Sequence, residues 1–94
     1  MAVNTFELAG APPADQTVTS GRSIYYGLTI RETAAAVASF NIRATSASGP
    51  IIDTVALPAS GTVSHWFGPN GINAPGGIYF DVLAGAVAGS VYHG

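Results

Sequence analysis

Ile24-Tyr25-Tyr26-Gly27-Leu28-Thr29-Ile30-Arg31 is the stretch on which the fold turns. Over residues 24–30 the apolar side chains recur with a period of two. Ile24, Tyr26, Leu28 and Ile30 share one predicted face, and Tyr25, Gly27, Thr29 and Arg31 the other. β-Branched and aromatic residues dominate, as they do on half-buried pleated surfaces. The stretch predicts a strand with its first set turned to a core.

The same period continues on both sides. Thr33-Ala34-Ala35-Ala36 has helical propensity, but Ala38, Phe40, Ile42 and Ala44 then alternate with Ser39, Asn41 and Arg43, which predicts a turn followed by a strand. Ser46-Ala47-Ser48-Gly49-Pro50 breaks the chain before a run over 51–57, with Val55 and Leu57 expected in the core and Asp53 near the sheet margin. Pro58-Ala59-Ser60-Gly61 leads into 62–67, and Gly68-Pro69-Asn70-Gly71 ends it. A short strand is expected at Ile72. Another covers 78–83, where Ile78, Phe80 and Val82 alternate; Ala84-Gly85-Ala86 is expected to close a hairpin onto 87–92. With strands at 5–8 and 17–20, about seven to eight short antiparallel strands are expected. That pattern predicts an all-β fold, a single small antiparallel β-sandwich, jelly-roll-like or immunoglobulin-like. One domain is expected: residues 1–20 as an N-terminal strand and a Pro-containing arm or loop, residues 21–94 as the sandwich body.

The chain has 94 residues, no cysteine and no lysine, so neither a disulfide framework nor a zinc ribbon is available. Only 9% of the residues are charged, three arginines against five acids, where an ordinary domain carries about 25%. A monomer of this mass exposes on the order of 5,000 Å². Eight charged side chains cannot cover that area, so small and apolar groups form most of the surface. With a mean hydropathy of +0.37, such a surface suits burial against copies of the same chain or a larger assembly. A net charge of -2 without a basic cluster argues against nucleic acid and anionic membranes as partners. The N-terminal residues lack the charged and apolar regions of a secretory signal, so none is expected.

No motif carries chemistry. His65 and His93 are far apart in sequence and have no second histidine on their own strands, so no metal and no cofactor are expected. Ser64, His65 and Asp81 supply the residue types of a hydrolytic triad. Neighbours on a strand point to opposite faces, however, which separates Ser64 from His65. The five acids are expected as solvated turn or sheet-edge charges. The chain is read as a non-enzyme. Among the aromatics, Trp66 and Phe67 project to opposite faces, one expected in the core and the other outside it. Tyr25, Tyr26, Tyr79 and Tyr92 could serve a subunit contact or a sugar platform.

Gly49-Pro50-Ile51-Ile52 through Leu57, Trp66-Phe67-Gly68-Pro69, Gly77-Ile78-Tyr79-Phe80-Asp81-Val82 and Gly89-Ser90-Val91-Tyr92 resemble, in this order, small virion proteins of tailed bacteriophages. The resemblance covers residues 24–92 and is to the capsid decoration, or cement, type. It implies a β-sandwich, often a homotrimer, on the outer capsid surface of the virion, with the major capsid protein as partner and synthesis in the host cytoplasm. The N-terminal segment through Asp15 could then serve as a docking arm. Phe6, Pro12, Pro13, Tyr25, Trp66, Phe67, Tyr79 and Tyr92 are the candidate subunit or capsid interface. The alternatives are a tail, fibre or head-spike component, and a small carbohydrate-binding module.

Overall fold

A computed structural model describes residues 3–10 and 12–94; Met1, Ala2 and Ala11 of the expected arm lie outside them. Among the described residues there are nine strands and no helix: β1 Asn4–Glu7, β2 Gln16–Ser20, β3 Ser23–Glu32, β4 Ala38–Ala44, β5 Ile51–Leu57, β6 Thr62–Trp66, β7 Ile72–Ala74, β8 Gly77–Ala84 and β9 Val87–His93. The short strand expected at Ile72 is β7, which shares one side of β3 with β6 and brings the described strands to nine.

Two antiparallel sheets face each other, one ordered β1-β9-β3-β6 with β7 beside β3, the other β2-β8-β4-β5. The pairings are nested: β1 with β9, β2 with β8, β3 with β6, β4 with β5. The chain is in effect one long hairpin, its tip between β4 and β5, rolled up so that alternate segments fall in opposite sheets. Of the two sandwiches the sequence allows, this is the jelly-roll arrangement. It also corrects the expected hairpin across Ala84-Gly85-Ala86, because β8 and β9 lie in different sheets and Gly85, at φ +79, turns the chain from one to the other. The first twenty residues supply an edge strand to each sheet.

Phe40, Ile42, Ile78, Phe80, Leu28, Ile30 and Val91 meet between the sheets, with the Phe40 and Phe80 rings 5.1 Å apart. Ala38, Ala44, Val55, Leu57 and Val87 complete this core as the alternation predicts.

The deciding stretch contains an irregularity that the pattern does not show. Tyr25 pairs with His93 and Gly27 with Tyr92, so Tyr26 is an extra residue in β3, and such a bulge reverses which face each side chain takes. Before it Tyr25 points inward, at 0% exposure, and Ile24 and Tyr26 point outward; after it Leu28 and Ile30 take the inner face. The predicted inner face is therefore correct only for its second half. Gly27 is required here: its φ is +145, and a Cβ would lie 1.9 Å from the His65 carbonyl oxygen. A second bulge opposite Ile42 and Arg43 makes Ile52 the extra residue of β5 and leaves Ile51 exposed.

Candidate functional site

β5 and β6 are the edge strands of opposite sheets on one side of the sandwich. Near the end where β3 begins, three side chains join them. Asp53, on the inner face of β5, accepts at Oδ2 a hydrogen bond from the Tyr25 hydroxyl at 2.7 Å and is bridged by the same oxygen to Nδ1 of His65 at 2.8 Å. A carboxylate oxygen can only accept, so Nδ1 carries the proton. The Tyr25 phenol stays protonated, its pKa driven far above the ordinary value, first by burial and then by its bond to Asp53. Phe67 covers the group, its ring 5.6 Å from that of Tyr25 and edge-on to His65 at 5.8 Å. Asp53 at the sheet margin matches the sequence reading. His65 turns inward, because its register partner Leu28 lies on the inner face.

Outside the sandwich, the Trp66 ring lies nearly parallel to that of Tyr26, 5.7 Å away and 21° inclined. Neither Trp66, at 59% exposure, nor Phe67, at 40%, is in the core. The expectation that one of the two rings would be central is corrected: β6 ends at Trp66, and Phe67 leaves the sheet at its rim, held by a bond from its N–H to the Tyr26 carbonyl. Of the other candidate interface residues, Tyr25 and Pro13 are buried within the chain and present no surface to a partner. Phe6 packs against the core from β1. Pro12 is exposed in the β1–β2 loop, which the Gln16 side chain ties across through both Ala9 and Ala14. Tyr79 and Tyr92 are half-buried on the outer faces of opposite sheets, so the structure does not gather the eight candidates onto one patch.

The expectation that the acids are solvated turn or sheet-edge charges is corrected at Glu32 and Asp81. Glu32 is buried at the far end of the sandwich at 6% exposure. Its carboxylate accepts backbone N–H groups from Ser60 and Ala34, and these bonds, Ser60 first, hold its pKa below the ordinary carboxylate value. Asp81 forms an ion pair with Arg43 at 2.8 Å on the outer face of the second sheet, and Arg43 also donates to the Gly49 carbonyl. Ser64 lies against Thr29 on the outer face of the first sheet, so Ser64, His65 and Asp81 occupy three separate surfaces. No group of three or more metal-ligating side chains occurs among the described residues. Missing from the sequence reading was the Tyr25-Asp53-His65 group; the one available signal was an acid inside the apolar alternation of 51–57. Compared with protein-family models, curated proteins and solved structures, the chain matches none.

Proposed function

We propose that the chain is a non-enzymatic structural protein of a tailed-bacteriophage virion, a decoration or cement protein seated on the outer surface of the head against the major capsid protein, with a homotrimer as the favoured assembly. The observation that carries this reading is the distribution of surface chemistry. Register places Val3, Ile51, Trp66 and Phe67 at one end of the sandwich, all of them exposed. Val37 and Leu83 are exposed at the other end. Of the eight charged side chains only Glu7, Asp15, Arg22 and Arg31 are exposed, two of each sign. Two apolar ends and a surface almost without charge suit a chain held between neighbours in a repeated lattice. Rigid aromatic anchors such as Trp66, fixed on Tyr26, are the side chains that carry most binding energy at such contacts. The jelly-roll topology is compatible with shell proteins and with sugar-binding proteins alike, so the fold by itself does not choose between them.

Sedimentation velocity at rising concentration, followed by co-sedimentation with purified phage heads, tests the proposal. Self-association and saturable binding to heads are expected. Replacing Trp66 and Phe67 by alanine should weaken binding at least tenfold, as for hot-spot anchors worth about 2 kcal/mol. A chain that stays monomeric and does not bind heads overturns it.

A further inference from the structure

The register around the Tyr26 bulge arranges the outer face of the five-stranded sheet in rows. In the first, Gly27 lies between Trp66 on β6 and Tyr92 on β9. Their backbones are about 10 Å apart, two strand spacings. Thr29 comes next, between Ser64 and Ser90, and then Arg31, between Thr62 and Ala88. Glu7 of β1 stands beside Ser90.

A shallow groove of about 260 Å³ opens over the second and third rows, with Tyr92, Arg31 and Thr62 among its walls and Ala88 and Gly89 on its floor. The Tyr92 hydroxyl donates to Oγ1 of Thr29 at 3.0 Å, one strand over and one row down. That bond reaches across from β9 to β3 and holds Tyr92 where it lines the groove. Arg31 is exposed, and neither ion pair found among the described residues uses it.

We infer that this groove binds a single saccharide ring, an acidic hexose in preference to a neutral one. The lining chemistry selects this occupant. A flat aromatic face accepts the apolar C–H face of a sugar, while hydroxyls of threonine, serine and tyrosine both donate and accept, as sugar hydroxyls do. Arg31 adds a fork of donors that fits a carboxylate. The volume is below the roughly 300–1,000 Å³ of pockets for larger ligands, so one ring fits and an extended cofactor does not. This site goes beyond the structural role proposed above and does not depend on it.

Glucuronic acid, glucose and acetate titrated separately into the ¹⁵N-labelled chain at one ionic strength test the inference. Saturable shifts at Thr29, Thr62, Ser90 and Tyr92 are expected with both sugars, in the millimolar range, glucuronic acid binding about fivefold tighter through its charge-assisted bonds. Arg31→Gln should abolish that preference while glucose still binds. Tyr92→Ala should weaken both sugars about tenfold, a stacking contribution of roughly 1.4 kcal/mol, and Tyr92→Phe, which keeps the ring if the alanine variant fails to fold, should retain most of the affinity. No saturable shift with either sugar overturns the inference. So do acetate shifts equal to those of glucuronic acid, a preference for glucuronic acid unaffected by Arg31→Gln, or shifts that fall outside the groove.

Discussion

Two acids turn into the space between the sheets, one at each end, and they are satisfied in different ways. Asp53 takes side-chain donors, Tyr25 and His65, both from the opposite sheet. Glu32 takes backbone donors, from Ser60 in the β5–β6 turn and Ala34 in the β3–β4 turn. The first arrangement fixes the distance between two sheet edges and depends on three particular side chains. The second fixes two turns, and any sequence able to place an acid there would make the same bonds, since every non-proline residue offers an N–H. A side-chain pin is thus open to dissection by mutation, while a backbone cradle is best read through the protonation of its one acid.

Removing the pin should have the largest effect. Asp53→Ala leaves the fully buried Tyr25 hydroxyl without its acceptor and His65 without its partner, at an expected cost of about 3 kcal/mol. Urea denaturation measures it, and a loss below about 1 kcal/mol would break the contrast between the two ends. Tyr25→Phe deletes only the donor and leaves Asp53 bonded to His65, so a smaller loss of about 1.5 kcal/mol is expected. Combining the two sharpens the point: once Asp53 is absent, Tyr25→Phe should cost little, because the hydroxyl it removes is already unsatisfied. Additive losses in that double-mutant cycle would show that the bond contributes no coupling.

What the sequence made legible follows from the range over which each signal acts. The strand over 51–57 was predicted with the bounds of β5, and the inward alternation of Ala38, Phe40, Ile42 and Ala44 matches the structure, because a period of two is a local property. The Tyr26 bulge was not predicted. One inserted residue leaves the composition unchanged while reversing the faces of Ile24 and Tyr25, and its only trace is the isolated Gly27 within a strand. Partner choice was equally hidden at Ala84-Gly85-Ala86, where a short turn between two strands reads the same whether the second strand joins the first or crosses to the other sheet. His65 was missed for the related reason that its face is set by Leu28, 37 residues earlier in the chain. Trp66 and Phe67 were legible as a pair split between two surfaces, but not the position of that pair at the strand end, where neither surface is core.

Glu32→Gln gives the smallest effect of the series, and its signature is the shape of a pH profile. The backbone N–H groups of Ser60 and Ala34 favour the charged carboxylate, so its folded pKa lies below the ordinary 4.5. A depressed pKa means that the unfolded chain binds the proton first as pH falls. The stabilisation is therefore present in full above the unfolded value and is lost as the pH falls through the folded one. Glutamine keeps an acceptor oxygen but not the charge, so the variant should be less stable than the parent at neutral pH. The difference should shrink below about pH 4.5 and vanish once Glu32 is protonated in both states. Urea midpoints for the two chains from about pH 7 to about pH 3 report this directly. A gap that stays constant to the acid end would mean that Glu32 acts through shape alone, and the backbone cradle would then lose its electrostatic part in the comparison with Asp53.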